Sequence, residues 1–198
     1  MTCLHRILPL VAVSLAAIAC SSESDGEGDA VLPGQDDHDQ LLECSGDRPC
    51  NDRAFAQRIE GGSPFSMFEV ECLLVALRDR TPSVLQMELN HGYTNGAELW
   101  SHVLVVTESG EVETSVDHSN SSASDPEGTR DFGPARRCTL QPPDYFEACL
   151  AEVQDLASGG GGGVVDTPEH PAWACVFPGL DEDLPWFASC EEQAPTCE

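Results

Sequence analysis

The chain has 198 residues, with 35 Asp and Glu against nine Arg and no Lys, for a formal charge of −26. Such a field repels nucleic acid and anionic headgroups, so nucleic-acid binding is excluded. The missing lysine also excludes the usual phosphate-binding loop, Schiff-base chemistry and the Ser-x-x-Lys acyl enzymes.

Arg6 precedes an apolar run from Ile7 to Ile18 that a single Ser interrupts. A membrane-spanning helix needs roughly 20 apolar residues, so this run reads as a signal-peptide core. Ala17-Ile18-Ala19 is a small-x-small cleavage site, and Cys20 follows at once. These residues resemble the lipobox of bacterial lipoproteins, with Ala17 in place of the more usual Leu. The resemblance covers residues 1–20. It implies a diacylglyceryl thioether on Cys20, cleavage before it, N-acylation, and hence a membrane partner through lipid. An ordinary secretory signal cut at the same bond is the alternative, and differs only in the lipid. Arg in place of Lys, with abundant Ala, Gly, Asp and Glu, suits a GC-rich genome. The whole looks like the uncharacterised lipoproteins of such bacteria, myxobacteria included; the globular part resembles no family of known function.

Cysteine parity bears on the choice. Cys3 leaves with the signal. A lipid on Cys20 then leaves Cys44, Cys50, Cys72, Cys138, Cys149, Cys175, Cys190 and Cys197, an even set that suits four disulfides. A bridge from Cys72 to Cys149 or to Cys138 is expected, among the 105 connectivities open to eight cysteines.

Residues 20–43 are predicted to be a disordered acidic tether. From Ser21 to Glu43 there are eight acids and no Arg, too little apolar content to offset ordering entropy. A flexible chain of this length reaches roughly 25–30 Å. A calcium loop over Asp25 to Asp36 fails because Ala30 occupies the position that needs Gly. Residues 44–198 are then a single disulfide-stabilised domain, with a core at 64–157, a Gly linker at 158–163 and a Cys/Pro-rich tail at 164–198.

Cys44 and Cys50 bracket a turn composition, SGDRP, and no Cys-x-x-Cys occurs, so structural disulfides are expected rather than metal. Ser66 to Arg78 reads as a helix: Phe65, Phe68, Cys72, Leu73 and Ala76 recur at helical spacing. Thr81-Pro82 stops it. Val84–His91, Leu99–Thr107 and Glu111–His118 read as three strands of an antiparallel meander. Asn95-Gly96 supplies a two-residue turn, and Glu108-Ser109-Gly110 a three-residue turn with Gly left-handed. These turns pair Leu89 with His102, Met87 with Leu104 and Leu85 with Val106. On the other side they pair Val106 with Val112, Leu104 with Thr114 and His102 with Val116. Both place the even residues of the central strand on the apolar face.

Ser119 to Gly133 reads as a surface loop and Ala135 to Leu140 as a short fourth strand. Pro142-Pro143-Asp144 opens a second helix with Phe146, Cys149, Leu150 and Val153 as its buried stripe. Ser158 and Gly159 to Gly163 end it. The tail reads as irregular and pinned by Cys175, Cys190 and Cys197, with Trp186-Phe187 either packed down or exposed as a docking patch.

The fold class is therefore α+β: a helix, a three- to four-stranded meander, a second helix and a disulfide-pinned tail. No catalytic motif stands out, so no catalytic residue and no cofactor is assigned. The pairing places His91, Trp100 and His118 in one row with His102 one step along, where imidazoles could converge on a transition metal. The leading expectation is a non-enzymatic, lipid-anchored envelope domain that interacts with another envelope protein. Ser21 lacks the Asp that retains lipoproteins at the inner membrane, which favours the outer membrane. The alternatives are a metal-binding protein using His91, His102 and His118, or a small extracytoplasmic hydrolase.

Overall fold

The computed structural model describes residues 31–50, 54–59, 67–158, 171–176 and 184–197. Seven strands form one sheet, in the order β1 (Ala54–Ile59), β2 (Ser83–Tyr93), β3 (Gly96–Val106), β4 (Val112–Ser122), β6 (Arg136–Leu140) and β7 (Phe187–Glu192). The remaining strand, β5 (Asp125–Phe132), pairs with β4 off this path. Four helices join them: α1 (Gln35–Glu43), α2 (Met67–Arg78), α3 (Pro143–Ser158) and the short α4 (Pro171–Ala174). The fold is α+β, and disulfides tie the C-terminal region to the rest.

The central hairpins are built from the two periodicities expected of them. On β2, Leu85, Met87 and Leu89 face the same side as Leu104 and Val106 of β3 and Val112 of β4. This side meets α2 through Val70, Leu73, Leu74 and Leu77, and α3 through Phe146, Cys149, Leu150 and Val153, all buried. Each fully buried Leu or Phe contributes about 1.5–3 kcal/mol of transfer free energy. The other side of the sheet buries Val84, Val103, Val105 and Ala135 beneath Leu41 of α1. Helices on both faces explain why β3 is apolar on both faces over its second half.

The β3–β4 register is the expected one, with Val106 opposite Val112, Leu104 opposite Thr114 and His102 opposite Val116. Gly110 takes φ 81° and its N–H bonds the Thr107 carbonyl, closing the turn. The β2–β3 register differs by two residues: Leu89 faces Trp100, Met87 faces His102 and Leu85 faces Leu104. The turn residues are therefore Thr94 and Asn95, and Gly96 is already paired, with Tyr93. A cross-strand aromatic outweighs the turn preference. The Tyr93 ring lies over Gly96, covering a backbone that no side chain shields. A two-residue slip preserves the faces, which is why the apolar pattern alone did not detect it.

Several expectations are corrected. The acidic tether does not extend to Glu43: Gln35–Glu43 is helical, with His38 and Leu41 buried. Two buried side chains one turn apart suffice to dock it, and Asp36 and Asp37 suit its positive N-terminal end. The compact unit accordingly begins at Val31; residues 20–30 lie outside the described set. The stretch from Ser119 to Gly133 is not a loop but the end of β4 and all of β5. The tail is not wholly irregular, since β7 pairs antiparallel with β6. The sheet is also mixed, because β1 runs parallel to β2. Ser158, the first residue of the expected Gly linker, ends α3; the rest of the linker and residues 164–170 and 177–183 of the tail lie outside the described residues.

Helix α2 ends in a Schellman arrangement, Thr81 N–H to Ala76 carbonyl at 3.0 Å. Arg80 occupies the left-handed position that Gly usually takes, at φ 51°. Its guanidinium compensates by bonding the carbonyls of Gly110 and Gln141 at 3.0 and 3.1 Å, tying the helix end to the turn after β3 and the chain after β6.

Candidate functional site

The eight cysteines after Cys20 form four bridges: Cys44–Cys197, Cys50–Cys72, Cys138–Cys190 and Cys149–Cys175. The expected bridge from Cys72 to Cys149 or Cys138 is not formed. Cys72 instead meets Cys50, Cα atoms 5.8 Å apart, and Cys149 meets Cys175, 5.5 Å apart, where α4 just before Cys175 packs on α3. Cys20 lies outside the described residues.

The three histidines of the expected metal site share one face but not one row. His91 pairs with Glu98, His118 with Trp100, and His102 lies between Met87 and Val116. Rows on one face are about 6.8 Å apart, so the three imidazoles stand in three different rows, with Trp100 and not a histidine at the middle position between them. Among the described residues, no three His, Cys, Asp or Glu side chains group so as to hold a metal ion.

What this end of the sheet builds instead is a layer of rings and hydrogen bonds. Trp100 stacks on His118, with centroids 5.0 Å apart and planes 15° from parallel. His118 Nδ1 donates to Asp131 at 3.1 Å. Tyr93 touches His91 edge-on and donates to Asn120, which in turn donates to Glu98. His91 Nδ1 and His118 Nε2 are buried without a hydrogen-bond partner among the described residues.

The opposite face carries a cleft of about 160 Å³ between α1 and the sheet. Its polar lining comes from His38 and Asp39 of α1, Gln86 of β2, Ser101 of β3, Asp117 of β4 and Arg130 of β5. Leu42 and Val103 supply an apolar floor. Register places Ser101 directly opposite Asp117. Arg130 donates to Asp117 from Nε and Nη2 at 2.9 and 2.7 Å and lies 4.9 Å over the Phe132 ring. The Asp117 hydrogen bond and the fields of Asp117 and Asp39 raise the Arg130 pKa further. His38 is buried, its Nδ1 3.3 Å from the Ser115 hydroxyl. No sequence signal marks this site: its residues come from five elements, and the helix that supplies His38 reads as tether.

A buried carboxylate holds the C-terminus nearby. Glu113, 3% exposed, accepts from Arg137 at 2.6 Å, from the Thr196 hydroxyl, and from the backbone N–H groups of Thr196 and Cys197 at 2.9 and 3.0 Å. Trp186 is fully buried and its indole donates to the Cys175 carbonyl at 2.6 Å. The expected alternative of an exposed Trp186-Phe187 docking patch is therefore overturned: Trp186 is core.

No described helix is long and apolar enough to cross a membrane. Compared with family models, curated proteins and solved structures, the chain matches none, so its function has to be read from its own residues.

Proposed function

We propose that the chain is a lipid-anchored domain of the bacterial cell envelope, attached through Cys20, whose folded part has a non-enzymatic interaction or structural role. The observation that carries this reading is the cysteine set. The eight cysteines after Cys20 pair among themselves, so the framework closes without Cys20 and leaves it for the lipid. Four disulfides also suit an oxidising, extracytoplasmic compartment. Ser21 in second place favours outer-membrane sorting, and the acidic chain after it would hold the domain off an anionic surface.

The test is mass spectrometry of the mature N-terminal peptide together with detergent-phase partitioning. Acylated Cys20 and recovery in the detergent phase are expected, and Cys20→Ala should leave an uncleaved precursor or a soluble form. An unmodified Cys20 in protein that partitions into the aqueous phase would overturn the reading.

A further inference from the structure

We propose that the cleft between α1 and the sheet is a binding site for an alkylammonium group. The volume sets the size of the occupant. An apolar cavity of about 150 Å³ takes benzene, so about 160 Å³ admits about six non-hydrogen atoms. The charge sets its sign. Arg130 is the cation in the lining, and Asp117 already occupies it on two nitrogens while Phe132 covers its face. Asp39, whose field also reaches Arg130, makes two carboxylates against one guanidinium in the lining, on a chain of formal charge −26, and this field drives anions away from the cleft.

The lining also distinguishes an organic cation from a metal ion. Among the described residues no group of three His, Cys, Asp or Glu is placed to hold a metal. The cleft instead combines acceptors, at Asp39 and the Ser101 hydroxyl, with the apolar side chains of Leu42 and Val103. An ammonium with a short methylene stem satisfies both: three N–H donors for the oxygens and CH₂ groups for the floor. A free short amine and the lysine side chain of another envelope protein share this chemistry. The chain itself has no lysine to compete for the site.

The experiment is an amide NMR titration of the oxidised full mature chain in non-ionic micelles. The probes are 1,4-diaminobutane, the uncharged 1,4-butanediol of nearly the same shape, and Nα-acetyl-lysine amide. Saturable shifts confined to α1, Ser101 and Asp117 are expected with the amines. NOEs from probe methylenes to Leu42 and Val103 methyls are expected too, with no response to the diol. Asp39→Asn, an exposed change, should weaken binding at least fivefold. Tighter binding of the diamine would assign a free amine, and tighter binding of the lysine derivative a partner's side chain. Shifts that fail to saturate, spread over the acidic surface and persist in Asp39→Asn would overturn the proposal. So would equal binding of the diol, or the absence of NOEs to the cleft. None of these outcomes depends on whether Cys20 carries a lipid.

Discussion

Glu113 of β4 meets Thr196, two residues from the end of the chain, through both the backbone and the hydroxyl of that residue. One carboxylate thereby fixes the last described residues to the sheet, beside the Cys44–Cys197 bridge. Burial pushes the Glu113 pKa up, but the hydrogen bonds from Thr196, Arg137 and Cys197 together outweigh it and lower the pKa. A depressed carboxylate stabilises the fold above its unfolded pKa of about 4.3 and loses that contribution as pH falls through its folded value. Glu113→Gln should therefore cost about 1.5–3 kcal/mol at pH 7. The gap to wild type should shrink as pH drops below about 4.3 in urea titrations. A gap that stays constant from neutral to strongly acid pH would show that Glu113 is not ionised in the fold.

The Cys44–Cys197 bridge spans 153 residues and joins the end of α1 to the C-terminus. A nine-residue helix is unstable alone, and α1 buries only His38 and Leu41. Replacing both cysteines by Ala should lower stability by roughly 4–5 kcal/mol at most, by the loop-entropy model. Hydrogen exchange should show the loss first in Gln35–Glu43, while α2 and α3 keep their protection. Uniform loss across all three helices would mean that α1 is not a separable unit.

Trp186 replaces a patch with a core. Its indole fills the space by Cys175 and Leu184, all within the same buried cluster as Phe146. Trp186→Ala should cost about 3–5 kcal/mol. Trp186→Phe should cost less, about 1–3 kcal/mol, because the Cys175 carbonyl then loses its donor. Chemical denaturation measures both, and a neutral Trp186→Phe would mean water reaches that carbonyl.

His91, His118 and His102 occupy three different rows of one sheet face, too far apart for one ion to take all three imidazoles at about 2.0–2.1 Å. Zinc, copper or nickel at tenfold excess should leave the melting temperature within a degree. His118→Ala should cost about 0.5–1.5 kcal/mol for the stack on Trp100. A stoichiometric metal, lost on replacing any one of the three histidines, would reverse this.

Legibility followed apolar periodicity. The stripe of α3 was visible because Phe146, Cys149, Leu150 and Val153 face one way and all are buried. The β3–β4 turn was visible because Gly110 has the φ that its turn demands. Elements held by few or distant partners were not visible. Helix α1 docks through two side chains amid acids. Strand β5, DPEGTRDF, carries turn residues and exists by pairing with β4. Strand β1 runs parallel and finds its partner only after α2 intervenes. The faces of the three histidines can be read from alternation, and the rows of His102 and His118 from the β3–β4 turn, but the row of His91 depends on a turn that Tyr93 decides. The cleft cannot be read from the sequence, since one wall is a helix whose acidic composition reads as tether.

The hairpin register can be tested at Gly96. Were Asn95-Gly96 the turn, Gly96 would sit at positive φ, where Asn substitutes for Gly with little loss. In the structure Gly96 is paired with Tyr93 on one side and Ser122 on the other. A Cβ built there would lie 2.3 Å from the Ser121 carbonyl oxygen and 2.8 Å from the Tyr93 ring. The first neighbour is backbone and cannot swing away; the second can. Gly96→Ala and Gly96→Asn should therefore both destabilise, by about 1–3 kcal/mol. Combining either with Tyr93→Ala should recover only part of the loss, because the Ser121 carbonyl remains in place. Urea denaturation of the two single and two double variants decides it. A near-neutral Gly96→Asn would return Gly96 to the turn, move the pairing by two residues, and bring His91 back opposite Trp100.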